Sequence, residues 1–195
     1  MTTFETRKSD YPIQPLLLSR NSSRAFSSER LSEEELMSLF EAARWTPSSY
    51  NNQPWRFIYA RRGEKEWDTL FKVLVEFNQS WAKHADTLIL VISRNLFEHN
   101  GKPAPTAQFD TGAAWMSFAI EAHARNLVAH GMQGFDYDAI KKALHIPDTF
   151  TVEAMIAVGK AGKKEDLPAD LREKEALSSR KPLKEIISKG KFSFN

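Results

Sequence analysis

Apolar residues recur along this chain in two rhythms, one of period near 3.6 and one of period 2, and their alternation lays out the elements. The run S-E-E-E at Ser32 places Glu35 three residues after a candidate N-cap. Leu36, Leu39, Phe40 and Ala43 follow at helical spacing, so the pattern predicts a helix that ends near Trp45, before Pro47. Past Pro54, the residues Trp55, Phe57 and Tyr59 alternate with more polar ones, as in a half-buried strand. Trp67, Leu70, Phe71, Leu74, Val75 and Phe77 predict a helix over 65–84. Asp86 to Ser93 is a continuous apolar run of strand length and predicts a central strand covered on both faces. A loop with two prolines follows, from Arg94 to Ala107. Asp110 to His130 is the longest helical pattern, and its small residues Gly112, Ala113 and Ala114 predict close approach of another helix or a ligand. The turn H-G-M-Q-G-F-D, a short helix over Tyr137 to Leu144, a strand over 152–160, a charged stretch over 160–181 and a short closing helix in P-L-K-E-I-I-S-K-G-K-F complete the sequence.

A chain of 195 residues fits one domain, 1–195, with an arm over 1–19 whose apolar cluster Pro15 to Leu18 docks on the body or on a partner. The apolar runs are too short to cross a bilayer, and M-T-T-F-E-T-R-K-S-D carries no apolar signal core, so a cytoplasmic protein without a membrane partner is expected. With no cysteine, disulfides, thiolate metal sites and cysteine nucleophiles are excluded. The net charge of +2 is too balanced to demand nucleic acid, though from Lys160 onward ten Lys and Arg face six Asp and Glu. The five histidines show no H-E-x-x-H spacing, and no metal is expected. Ser48 and Ser49 lack a G-x-S-x-G elbow, and no G-x-G-x-x-G follows a strand, which disfavours a serine hydrolase and a Rossmann domain.

Four segments carry residues suited to a ligand. In R-N-S-S-R, the residues Arg20, Ser22 and Arg24 alternate, so an extended backbone would turn two guanidiniums and a hydroxyl to one side, a cradle for phosphate oxygens; a solvated basic turn is the plain alternative. In T-P-S-S-Y-N-N-Q-P-W, the carboxamides of Asn51 and Gln53 both donate and accept, as a heteroaromatic edge requires, or serve ordinary turn chemistry. Gly131 and Gly134 permit close approach to a flat ligand, although a helix cap explains Gly131 equally well. Arg180 and Lys181 add positive charge near the C-terminus, where solvated surface is the default reading.

In this order the segments R-x-S-x-R, P-S-x-x-N-x-Q-P-W, D-x-G-A-A, M-Q-G-F-D and R-K-P-L resemble the FMN-dependent nitroreductase family, over nearly the whole chain. The residue pattern alone supports mixed α and β. The resemblance implies an α+β nitroreductase-like fold, a mostly antiparallel central sheet flanked by helices in an intertwined homodimer, with residues 160–195 packing on the partner. It implies FMN bound at the subunit interface, with NADPH or NADH as electron donor. Arg20, Asn21, Ser22 and Arg24 would hold its phosphate and ribityl chain, with Arg24 also reaching toward the ring, and Arg180 and Lys181 would close the clamp. Pro47, Ser48, Ser49, Asn51 and Gln53 would face the ring, with Pro47 to Ser49 reaching a flavin bound mainly by the other subunit. Met132, Gln133 and Gly134 would present backbone to its N5. Trp55, Phe97 and Trp115 are the candidates for the acceptor pocket. Asn21 stands where many members carry a further Arg or His, and the loop over 94–107 is short, so acceptor choice is not inherited. Reduction of nitroaromatics or quinones by a ping-pong route is the implied activity. A reductive dehalogenase, an enoate reductase or a non-catalytic FMN store or sensor are the alternatives.

Overall fold

The computed structural model describes residues 7–194, in which the N-terminal arm carries a short helix, α1 (Pro15–Ser19); the first residues of that arm lie outside the described residues. Four strands, β1 (Trp55–Arg61), β2 (Thr87–Arg94), β3 (Leu127–Met132) and β4 (Phe150–Lys160), form one antiparallel sheet in the order β1-β2-β4-β3. On β2 the side chains divide between two cores: Leu88, Leu90 and Ile92 face one, Ile89 and Val91 the other. The first is closed by α3 (Trp67–Phe71), α4 (Glu76–Ala82) and α6 (Tyr137–Ala143), through Trp67, Leu70, Trp81 and Ile140. The second is closed by α2 (Glu33–Arg44) and α5 (Ala107–Ala124), through Leu36, Leu39, Phe118 and Ala122. Helices on both faces explain why β2 reads as unbroken apolar sequence rather than an alternation. This is the expected α+β architecture.

The start of α2 is the capping box the sequence announces: Glu35 N–H donates to Ser32 Oγ at 3.1 Å, and Ser32 N–H donates to Glu35 Oε2 at 2.8 Å. Glu35 Oε1 also accepts from Lys160 Nζ at 2.8 Å, joining the helix start to the end of β4. Beside it, Asp86 is fully buried between Arg30 (3.0 Å) and Arg61 (3.2 Å) and accepts from Thr87 Oγ1 at 2.8 Å.

Three expected elements differ. The helix over 65–84 is two helices, because Leu74 bridges to Phe135 and Val75 N–H donates to Gly134 O at 3.0 Å, and these long-range bonds pull Val75 into extended backbone. The long helix stops at Ala124, and 127–132 is strand β3; Asn126, at φ 59°, takes the left-handed turn that ends α5, a stop signal that Asn provides without a glycine. The closing segment forms a single 3-10 turn, Leu183–Glu185, in place of a helix, since Ile186 and Ile187 are more than half exposed and no apolar face is buried to support one. The segment after β4 is fixed to its own chain as far as Arg180, through helix α7 (Ala169–Glu173), Glu175 and Ser178.

The Glu35–Lys160 pair holds the Glu35 carboxyl below its ordinary value, first through the Lys160 hydrogen bond and then through Ser32 N–H. A depressed carboxyl stabilises the fold above its unfolded pKa, and the gain is lost as pH falls through the folded value. Glu35→Gln is therefore expected to lower stability at neutral pH by about 0.5 kcal/mol, in keeping with a partly exposed pair. Denaturant titrations should find that difference closing as the pH falls through the depressed value.

Candidate functional site

Residues 19–27 cross the edge of the sheet and are pinned at several points. Phe26 bridges to Ala161, and Ser27 N–H donates to Lys160 O at 3.0 Å. A Cβ at Gly162 would lie 2.5 Å from the Phe26 carbonyl carbon, so only glycine lets these strands touch. His130 Nδ1, on β3, lies 3.0 Å from Ser23 O, and its burial pushes the imidazole pKa down. Ser19 Oγ meets His123 Nε2, on α5, at 2.7 Å. The segment is thus laid against β3 and the C-terminal end of α5.

Of the R-x-S-x-R residues, Arg20 and Ser22 act as the alternation predicts, with Arg20 Nη1 donating to Ser22 Oγ at 3.2 Å. Arg24 does not join them. Its Nη1 donates to Glu175 Oε1 at 3.4 Å, its guanidinium stands 5.9 Å from the ring centres of both Phe77 and Trp81, and its Nε is buried without a partner among the described residues. Glu175 also takes Ser23 Oγ–H at 2.7 Å and Arg24 N–H at 3.1 Å. Sequence reasoning missed Glu175, which lies in a charged stretch with no local signal.

What stands with Arg20 is a cluster of cations from both ends of the chain. Arg7 Nη1 donates to Leu18 O at 2.8 Å and Arg20 O at 2.9 Å, and Arg7 Nε to Ser178 O at 2.7 Å. Arg180 Nη1 reaches the same Ser178 carbonyl at 3.3 Å and Ser178 Oγ at 2.9 Å. Burial lowers the Arg20 pKa, and the nearby charges of Arg7 and Arg180 lower it further. Among the described residues no carboxylate is ion-paired to Arg7, Arg20 or Arg180. Lys181 and Arg180 line a cavity of about 1130 Å³ together with Arg7 and Lys8, against the single carboxylate of Asp10. Cations gathered with no ion-paired carboxylate among the described residues suit an anion.

At the end of β3, Gln133 and Gly134 leave the sheet. The Gly134 carbonyl accepts from Val75 N–H and from Asn78 Nδ2, each at 3.0 Å, and a Cβ on Gly134 would meet Asn78 Nδ2 at 2.6 Å. The N–H groups of Gln133 and Gly134 donate to no acceptor among the described residues, which leaves two backbone donors at the edge of the sheet. Trp115 lies over Gly131, its ring 3.2 Å from where a Cβ would stand, and is half-buried. Met132 is buried in the core, so only its backbone is available to a ligand.

The segment 47–53 is held apart from these residues. Ser49 N–H and Thr106 Oγ1 both donate to Asp110 Oδ2 at 3.1 Å, and Gln53 N–H donates to Ser48 Oγ at 2.9 Å. Tyr50, Asn51 and Gln53 all have φ between 45° and 53°, a left-handed conformation that Asn takes readily and that is costly for Tyr and Gln. The Asn51 carboxamide is exposed, and Tyr50 packs against Phe97 (5.6 Å) and His99 (5.8 Å). Trp55 does not line this pocket: it is buried in the core with Leu39 and Phe118, because the strand that follows Pro54 turns it inward.

Helical rise separates these regions. Asp110 anchors the 47–53 turn and His123 meets Ser19, and at 1.5 Å per residue they stand roughly 20 Å apart along α5. Along this stretch and the residue before it, the free face of α5 is apolar, with Phe109 79% exposed, Met116 38% exposed and open space over Gly112.

Comparisons with known proteins point one way. The sequence model of a family described as "Nitroreductase family" matches residues 17–79 and 67–160. A solved structure described as an oxidoreductase containing FMN is 43% identical, covers the whole of both chains and superposes with a TM-score of 0.92. An uncharacterized 15.4 kDa protein of Mycolicibacterium smegmatis is 35% identical over 117 residues, 55% of this chain and 76% of its own. The oxygen-insensitive NADPH nitroreductase of Helicobacter pylori is 37% identical over 79 residues, 40% of this chain and 37% of its own.

Asp110→Ala removes the acceptor of both Ser49 N–H and Thr106 Oγ1. It is expected to cost about 1–3 kcal/mol and to speed proteolytic cleavage within 47–53. Unchanged cleavage would show that the turn holds its conformation without Asp110.

Proposed function

The chain belongs to the nitroreductase family, and on that premise we propose that it is an FMN-dependent oxidoreductase carrying two electrons from NADPH or NADH to a small organic acceptor, a nitroaromatic or quinone, in ping-pong order. The observation that carries the reading is the convergence of Arg20, Ser22 and Arg180 with no carboxylate partner among the described residues, together with a strand edge whose Gln133 and Gly134 amides donate to none of those residues. A phosphate monoester dianion matches the first set, and the acceptor atoms of a flat heteroaromatic ring match the second. The FMN in the similar structure supports the same assignment.

In this reading Arg20, Ser22, Arg180 and Lys181 bind the phosphate, with Asn21 beside them. Gln133 and Gly134 orient the ring through their N–H groups. Arg24, drawn to Glu175, acts as a positioning residue that fixes the course of 20–24. When bound, FMN supplies two-electron chemistry, taking hydride from the nicotinamide and passing electrons to the acceptor. The protein then needs no side-chain acid or base; it holds the ring, shields one face and offers a positive field that favours added negative charge. Trp115 and Phe97 remain the candidates for the acceptor wall.

The same proposal includes a homodimer. A helix that is apolar on its free face calls for a partner, and pairing α5 antiparallel with its copy about a two-fold axis covers Phe109, Gly112 and Met116. That arrangement also sets one protomer's N-terminal end of α5, with Pro47, Ser48, Ser49, Asn51 and Gln53, against the partner's C-terminal end, where Arg20 stands. The roughly 20 Å separation within one chain is thereby closed across the interface. Residues 182–194, with Ile186 and Ile187 exposed, are the part of the C-terminal segment free to reach the partner. We place the protein in the cytoplasm, in keeping with its lack of cysteine.

The purified protein should show visible flavin absorption that bleaches on anaerobic addition of NADPH or NADH; a colourless protein that does not take up added FMN would overturn the proposal. Arg20→Ala should raise the FMN dissociation constant roughly ten- to a hundredfold, the worth of one or two charged hydrogen bonds. Phe109→Asp should give a monomer in sedimentation with little bound flavin, whereas a flavin-loaded monomer would remove the shared site.

A further inference from the structure

We infer that Arg7, outside every motif that marks the family, is a positioning residue that fastens the two chain ends together at the anion site, so that binding a phosphate monoester and docking the C-terminal segment are coupled. The identity of the anion rests on the FMN reading above; the coupling rests on the geometry of Arg7 itself.

One guanidinium here holds three main-chain carbonyls, two in the 18–20 stretch and one at Ser178. Its Nη1 donates to Leu18 O at 2.8 Å and Arg20 O at 2.9 Å, and its Nε to Ser178 O at 2.7 Å. Ser178 O is also the acceptor for Arg180 Nη1, at 3.3 Å, so the fastening point and the clamp arginine share an oxygen. The planar fork makes this possible; an ammonium group presents a point charge and cannot hold such divergent carbonyls in one plane. Without Arg7, the described contacts between 177–194 and the rest of the chain lose the bond that fixes Arg180 relative to Arg20.

The cluster also works against itself. Arg7 and Arg20 both have their pKa values lowered, by burial first and by the nearby charge of Arg180. Lys8 and Lys181 line a cavity with Arg7 and Arg180, so docking the C-terminal segment brings like charges together with Asp10 as the one carboxylate among the described residues that line it. Like charges in a partly buried site repel, and a dianion among them turns the repulsion into attraction. A ligand that binds the docked state better than the undocked one stabilises docking by mass action, and docking strengthens the ligand by the same factor. The anion is therefore the counter-ion that closes the end of the chain, and Arg7 transmits the closure from Ser178 to Arg20.

The test compares wild type with Arg7→Ala and Arg7→Lys in the full-length protein, using FMN, riboflavin and inorganic phosphate as probes. In the wild type, FMN and inorganic phosphate should slow tryptic cleavage at Lys184, Lys189 and Lys191, where chloride at equal ionic strength does not. Arg7→Ala should weaken FMN roughly tenfold while changing riboflavin, which lacks the phosphate, by less than about threefold, and its cleavage should no longer respond to phosphate. Equal weakening of FMN and riboflavin, or protection by phosphate that survives Arg7→Ala, would overturn the inference. Should Arg7→Ala not fold, Arg7→Lys decides: an intermediate loss of FMN affinity without phosphate protection supports the fastening role, and wild-type behaviour overturns it. Wild type that binds no FMN but shows Arg7-dependent protection by phosphate would reject the flavin reading and leave the coupling standing.

Discussion

A buried carboxylate must find partners, and Glu175 finds all of its own at the other end of the chain. With its side chain 5% exposed, it accepts from Ser23 Oγ, from Arg24 N–H and from the Arg24 guanidinium. Losing one partner of such a pair strands a desolvated charge, so the contact tolerates little displacement. It is one of the pins that hold residues 19–27, with the Phe26–Ala161 bridge and the Ser19–His123 contact. The Arg24 ion pair sets the path of 20–24, that path places Ser23 O against His130 on β3, and β3 in turn delivers Gln133 and Gly134 to the sheet edge. The sheet thereby positions the site through an edge strand whose outer side is occupied by a segment from the N-terminal region rather than by another strand.

Charge is distributed around this joint in two different ways. Asp86, deep beside α2, is neutralised by Arg30 and Arg61 and helps hold the body together. Arg7, Arg20 and Arg180 have no such counter-charge among the described residues. Both groups consist of arginines near the surface, and only the presence or absence of a buried carboxylate separates a structural cluster from a candidate binding one. The same contrast is seen within a single motif, where Arg20 has no ion-paired carboxylate among the described residues and Arg24 is taken by the fold.

Much of the fold was legible because its signals are local. The Ser32 capping box and the unbroken apolar run of β2 are written in consecutive residues. The helix predicted over 65–84 breaks because the extended state of Val75 depends on Gly134, and 127–130 continues the helical pattern of α5 yet is strand because it pairs with β4. In the site, Arg20, Ser22 and Arg180 could be found from residue type and order. Glu175 and Arg7 could not, since neither belongs to a pattern; what gives each its role is a contact with the opposite end of the chain. The core placements of Trp55 and Met132 follow from strand register, which a motif does not encode.

The turn that carries Tyr50, Asn51 and Gln53 has a consequence for how far this protein can be stabilised. Residues other than Gly and Asn in the left-handed region, here Tyr50 and Gln53, cost on the order of 1–3 kcal/mol each, against a total stability for ordinary domains of about 5–15 kcal/mol. Selection for heat resistance alone would therefore favour glycine or a relaxed backbone at these positions early, since the gain there is large and the core would be untouched. The residues kept in strain at the surface mark where robustness has been traded for a fixed presentation of side chains, and a more durable version of this protein would have to find its margin elsewhere.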